Sequence, residues 1–288
     1  MLCELVHTRT SDLARLDGAL YRTASPRNTR LDAALLLSGL AGNFYSSRLM
    51  QSIARHLLES GLDVLLANTR GHDGINWISI GGRTEAQGAA FEMVEDCQQD
   101  VAGWVHYLAH RGLEKIAIVG HSLGAIKALY AQAHQPQPNV KCIAAMSASR
   151  LNYDQFLQTP AANRFRHWFE SALQLVHAGN GRQLMRVDFP FPAFIAADAY
   201  VDKYGPPSRY DWTQFIERVD LPVLLVFGEA ELQSNAAFLG ILDQVDGLRT
   251  ACPQLQSRVV PGAYHFYVGR LQVVSKLVCQ WMRDPGGE

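Results

Sequence analysis

The sequence predicts an α/β fold, a mostly parallel sheet flanked by helices. Two observations lead there. Short, strongly apolar runs of strand length alternate with longer runs of helical spacing along most of the chain, the pattern of parallel strands joined by crossover helices. One such run, residues 115–119, leads directly into Gly120-His121-Ser122-Leu123-Gly124 and then into a helical stretch. A tight turn must therefore join a buried strand to a helix at that point.

The elements follow in order. Residues 4–8 and 15–21 alternate in the manner of two edge strands forming an antiparallel start. Residues 33–37 are a continuous apolar run, and residues 45–59 have helical spacing that Gly61 stops. Residues 63–67 read as another buried strand, closed by Asn68-Thr69-Arg70-Gly71. A long helix is expected over 89–110, ended by Gly112, before the strand at 115–119. A helix over 123–133 follows the turn, then strands at 140–145, 222–227 and 258–260, a closing helix over 265–282, and a fraying tail at 284–288.

The stretch from about 150 to 220 breaks this rhythm. It holds 13 of the chain's 27 aromatic residues, too many to be surface side chains, so they must build a small core, line a pocket, or both. The 288 residues, at about 150 per domain, suggest nearly two domains. The pattern instead predicts one catalytic core from residues 1–149 and 221–288, with residues 150–220 inserted as an aromatic-rich cap.

Composition excludes several classes. Lys+Arg 26 against Asp+Glu 27 gives a net charge of −1, so no global field attracts nucleic acid. The apolar fraction of 48% against 18% charged residues fits a globular protein with a large core. The start has no basic region leading into an apolar stretch, and runs such as 221–227 are too short to span a bilayer. The five cysteines are scattered and form no C-x-x-C pair, which fits buried thiols in a reducing cytoplasm rather than a disulfide framework or a zinc site. No H-E-x-x-H, phosphate-binding G-x-x-x-x-G-K-[ST] or helix-opening G-x-G-x-x-G is present, so neither a metal nor an organic cofactor is expected.

The chemistry concentrates on a few residues. A serine at the centre of G-x-S-x-G is exposed above the sheet by the turn, while the glycines remove side chains where the backbone crowds. This makes Ser122 the candidate nucleophile. A serine hydroxyl needs a base, and the base needs orienting. Of ten histidines, His265 follows the last strand and can reach the edge of the central strand where Ser122 lies; His72, on the loop after residues 63–67, is the competitor. For the acid, Glu231 follows the strand ending at Gly228, with Glu229 as near rival and Asp243 and Asp246 as distant ones. Two N–H donors are needed for a developing oxyanion: Leu123, after the nucleophile, and Leu40, on the glycine-containing loop 38–43.

With the strand, the G-x-S-x-G turn, the later acid and the final histidine in that order, the chain resembles the α/β-hydrolase fold family over nearly its whole length. The resemblance implies an eight-stranded, mostly parallel sheet and a helical cap at 150–220, between the sixth and seventh strands. It also implies Ser122 as nucleophile, His265 as base and Glu231 as acid. Residues 68–72 are similar to the family's arginine-glycine loop. Three positions depart from the family pattern: Ser38-Gly39 where many members have His-Gly, Glu231 where aspartate is usual, and Asn68 where aspartate often stands. The expected activity is hydrolysis of a carboxylic ester, a small-molecule substrate with an apolar part suited to the aromatic cap. A thioesterase, amidase, carbon–carbon bond hydrolase or acyltransferase would use the same triad. A non-catalytic binding protein on this scaffold is the alternative of another class. The sequence names neither the natural substrate nor the oligomeric state.

Overall fold

A computed structural model of the protein describes residues 2–286. The chain opens with β1 (Glu4–Arg9), β2 (Arg15–Tyr21), β3 (Ala33–Leu37), α1 (Arg48–Glu59) and β4 (Asp63–Ala67). A hairpin of β5 (Asn76–Ile80) and β6 (Arg83–Gln87) precedes α2 (Cys97–Ala109), β7 (Ile116–His121), α3 (Leu123–His134) and β8 (Val140–Met146). The inserted stretch carries α4 (Tyr153–Leu157), α5 (Ala162–His177), β9 (Leu184–Val187), β10 (Ala193–Ala196) and α6 (Ala197–Tyr204). The chain then closes with β11 (Val223–Gly228), α7 (Glu229–Ser234), α8 (Ile241–Leu248), β12 (Leu255–Val260) and α9 (Leu271–Trp281).

Eight strands form one sheet in the order β1-β2-β4-β3-β7-β8-β11-β12. β1 pairs with β2 and β2 with β4 antiparallel, and the remaining neighbours are parallel. β3, at the centre of the parallel part, is apolar and buried at every position because both faces are covered. Ala33, Leu35 and Leu37 pack into the core beneath α2 and α3, whereas Ala34 and Leu36 pack into the core beneath α1 and α9. This is the two-residue period of a strand read against two helical layers.

The antiparallel start and the eight-stranded, mostly parallel sheet agree with the sequence expectation. Several boundaries do not. α1 begins at Arg48 rather than residue 45, because the Asn43 side chain accepts from the Tyr45 and Ser46 N–H groups and holds them in a turn; Ser47 then caps the helix by accepting from Met50 N–H. α2 begins at Cys97 rather than residue 89, because Ala89 and Ala90 donate to the carbonyls of Asp73 and Gly74 and are tied to that loop. α9 begins at Leu271 rather than residue 265, since residues 264–270 form successive turns. β12 extends back to Leu255, three residues before the expected start. The β5–β6 and β9–β10 hairpins were not anticipated, and the second places strands within a stretch expected to be helical. Of the tail, Gly287 and Glu288 lie outside the described residues. No helix among the described residues is long and apolar enough to cross a membrane.

Candidate active site

The turn between β7 and α3 puts Ser122 at φ 55° and ψ −123°, a conformation that is costly for a residue with a side chain. Two glycines permit it. A Cβ on Gly120 would collide with the backbone of Gly124 and Ala125, and one on Gly124 with the carbonyls of Leu37 and Ser38. The turn is also tied to the sheet, since Ser122 N–H donates to the Met146 carbonyl at 2.8 Å.

His265 stands on the loop between β12 and α9. Its Nε2 lies 3.0 Å from Ser122 Oγ and its Nδ1 lies 2.8 Å from Glu231 Oε2. A carboxylate only accepts, so Nδ1 carries the proton and Nε2 presents a lone pair to the serine hydroxyl. Ser122, His265 and Glu231 are thus brought into one hydrogen-bonded chain. Glu231, at the start of α7, is 2% exposed. Its other oxygen accepts from Gly228 N–H at 2.7 Å and from Ser147 Oγ at 2.6 Å, which compensates the burial of the carboxylate.

The rival residues have other work. Glu229 Oε2 accepts from Gly262 N–H at 2.8 Å and so braces the loop leading to His265. Asp246, on α8, faces Arg249 at 2.8 Å, and Asp243 is exposed on the same helix. His72 Nδ1 lies 2.8 Å from Asp73 Oδ2 and is not part of the Ser122 chain. Arg70 is buried against Asp100 at 2.8 Å, Asp12 at 2.8 Å and Asp96 at 3.3 Å, so the arginine-glycine loop serves a buried ion network.

A cavity of about 1210 Å³ opens over Ser122 and His265. Leu40 and Leu123 both line it, and their backbone N–H groups have no acceptor among the described residues. The loop after β3 passes so close to the turn that a Cβ on Gly39 would stand 2.9 Å from Ser122 Cβ. Apolar side chains dominate the cavity wall, among them Phe156, Phe189, Ile195 and Tyr204 from the inserted stretch.

Sequence reasoning missed several supports. His121 Nε2 lies 2.8 Å from the carbonyl oxygen of His265; burial, with His265 as the second cause, lowers its pKa from 6.5 to about 3. Tyr267 Oη lies 2.9 Å from Ser147 Oγ and 3.0 Å from the Val226 carbonyl, and burial, aided by the Glu231 charge, pushes its pKa well above the usual phenol range. Asn68 Oδ1 accepts from Phe44 N–H at 2.9 Å, and Ser38 Oγ donates to the Asn43 carbonyl at 3.2 Å. The two polar departures at positions 38 and 68 thus both hold the loop that carries Leu40. No local sequence signal marks Ser147 or Tyr267, whereas the departures at 38 and 68 were visible without their consequence.

Residues 33–268 match the family model of the α/β hydrolase fold. Among solved structures, the α/β hydrolase GrgF from Penicillium sp. sh18 is similar at 14% identity and a TM-score of 0.70, covering 99% of each chain. The esterase PF2001 of Pyrococcus furiosus is similar at 14% identity and a TM-score of 0.63, covering 99% of this chain and 92% of that one. Est1E from Butyrivibrio proteoclasticus, with ferulic acid bound, is similar at 16% identity and a TM-score of 0.65, covering 97% of this chain and 99% of that one. At these identities the likeness is one of fold. No curated protein sequence matches the chain.

Proposed function

The chain belongs to the α/β-hydrolase fold family, and from that premise we propose that it is a serine hydrolase cleaving a carboxylic ester through an acyl-serine intermediate. The observation that carries the reading is the hydrogen-bonded chain from Ser122 Oγ through His265 to Glu231 at 3.0 Å and 2.8 Å. His265 Nε2 takes the Ser122 proton as Oγ attacks the ester carbonyl. The oxyanion is held by the N–H groups of Leu123 and Leu40. The intermediate collapses, the alcohol leaves with the proton from His265, and the acyl group stays on Ser122. Water then attacks the acyl-serine while His265 takes its proton, and the acid is released as that proton returns to Ser122 Oγ. Glu231 holds the imidazole tautomer and stabilises the imidazolium. This chemistry calls for neither a metal nor an organic cofactor.

Residues 150–220 act in this reading as a cap whose aromatic side chains receive the apolar part of a small-molecule ester. The esterases among the structural neighbours support an ester as substrate, and near-neutral net charge supports a partner other than nucleic acid. The test is labelling of folded protein with a fluorophosphonate probe, located by mass spectrometry, together with turnover of p-nitrophenyl esters from acetate to long acyl chains. The label is expected on Ser122, and Ser122→Ala is expected to lower kcat roughly ten-thousandfold or more. Glu231→Ala is expected to lose activity while Glu229→Ala retains most of it. An unlabelled Ser122, or an active Ser122→Ala variant, would overturn the reading.

A further inference from the structure

Lys203, on α6, lines the same cavity as Ser122. It is 2% exposed, and its Nζ has no hydrogen-bond partner among the described residues. A buried ammonium without a partner is a costly arrangement. Two acidic groups act on it through space, Glu92 and Asp202, and neither is hydrogen-bonded to it. Glu92 is ion-paired with Lys127, whose Nζ also donates to Thr69 Oγ1 at 2.8 Å. Asp202 accepts from the Tyr210 hydroxyl at 2.8 Å and faces Arg209 at 3.4 Å. Glu92 Oε2 is also without a hydrogen-bond partner, but the Glu92 carboxyl group packs against Gly71, and Glu92, unlike Lys203, does not line the cavity. Burial accordingly pushes the Lys203 ammonium below the ordinary lysine value.

Around Lys203 the cavity wall is apolar and aromatic, with Tyr200, Tyr204, Phe156 and Phe189 on the same lining. Tyr200 has its hydroxyl committed to the Phe189 carbonyl at 3.1 Å. A single compact cation in such a wall suits a single compact anion on the end of an apolar chain, because an ammonium acts as a point charge with three donors. We propose that Lys203 binds a carboxylate carried by the substrate, so that the ester cleaved at Ser122 bears one free carboxylate beyond an apolar part. This rests on the serine-hydrolase reading above.

The test compares matched esters that differ only in charge at the far end. On the acyl side, the p-nitrophenyl monoester of octanedioic acid is set against its ω-carboxamide. On the alcohol side, 4-(2-carboxyethyl)phenyl octanoate is set against 4-(2-carbamoylethyl)phenyl octanoate, in which the saturated spacer keeps the leaving phenols alike. In at least one pair the carboxylate is expected to raise kcat/KM by about ten- to a hundredfold, and Lys203→Met is expected to bring that ratio to about one. A ratio of about one in both pairs for the wild-type protein overturns the proposal, and so does a Lys203→Met variant that keeps the ratio. Should that variant fail to fold, competitive inhibition of the wild-type protein by octanedioic acid monoamide and by the diamide decides: about tenfold tighter inhibition by the monoamide supports the proposal, and equal inhibition overturns it. Failure of this proposal leaves the neutral esters cleaved and Ser122 labelled, whereas failure of the serine-hydrolase reading abolishes both.

Discussion

His121 occupies the position just before the candidate nucleophile, yet its side chain turns away from the serine and meets the His265 backbone 144 residues further along the chain. A carbonyl oxygen only accepts, so Nε2 donates, and with its pKa lowered to about 3 the ring is neutral at neutral pH. Burial is the main reason its pKa falls from 6.5 to about 3, with repulsion from His265 second. In the unfolded chain this histidine titrates near 6.5, so between about pH 6.5 and 3 the unfolded state binds the extra proton. The depressed value therefore contributes stability that is fully present above pH 6.5 and is lost progressively as pH falls toward 3. Replacing His121 with Gln, which keeps a donor but cannot titrate, is expected to make the unfolding free energy depend less on pH in that window. The difference in slope approaches one proton at most, or about 1.4 kcal/mol per pH unit. Urea denaturation at a series of pH values measures it, and identical slopes in both proteins would remove His121 from the account of acid sensitivity.

The loop between β3 and α1 behaves as an element although it has no regular structure. Gly42 N–H donates to the Gly39 carbonyl at 2.9 Å, Asn43 Nδ2 donates to Asp73 at 2.7 Å, and Asn68 accepts from Phe44 N–H. Asn68→Leu would leave the Phe44 N–H without its acceptor, at a cost of about 1–3 kcal/mol in stability. If Leu40 N–H acts only on the transition state, the same change lowers kcat more than it raises KM. Asn68→Asp keeps an acceptor and is expected to restore most of the loss. Steady-state kinetics and urea denaturation of the two variants check this, and equal kcat in Asn68→Leu and wild type would separate the loop from the chemistry. The contrast explains what the sequence made legible. Ser122 could be read because its turn has a local glycine signature, and the sheet because buried strands are continuous apolar runs. His265 and Glu231 could be placed by their order after successive strands. The hydrogen bonds of Ser147 and Tyr267 and the burial of Lys203 beside the cavity could not, since they arise between segments distant in sequence. Helix starts were misread where a loop hydrogen bond overrode helical spacing, as at Ala89 and Ala90.

Across the whole molecule the inserted residues 150–220 share the core of the sheet. One continuous hydrophobic cluster runs from Leu35 and Ile118 of the sheet through Trp104 to Phe165, Tyr200 and Trp212. Trp212 Nε1 donates to the Ala148 carbonyl at 3.1 Å, and Ala196 N–H donates to the Ala90 carbonyl at 2.7 Å. The Tyr130 ring of α3 stands edge-on to Tyr210 at 5.2 Å and to Phe215 at 5.4 Å. An autonomous domain owns a core that few contacts cross; here Phe156, Phe165 and Phe189 pack on one another, but they belong to the same cluster as the sheet, and Tyr210 and Phe215 pack on α3. A stretch of about 70 residues is marginal as an independent unit even with a core wholly its own. The full chain is therefore expected to unfold in a single calorimetric transition, with van't Hoff and calorimetric enthalpies in agreement. The isolated 150–220 peptide is expected to show no cooperative melting by circular dichroism. A chain in which a short Gly/Ser linker replaces these residues would expose the apolar faces of α3 and the sheet and bind a hydrophobic dye strongly. Two resolved transitions in the full chain, or a peptide that melts cooperatively, would instead mean that the insertion carries its own core. The aromatic residues would then be explained by cap folding alone, and the apolar substrate part would lose its main support.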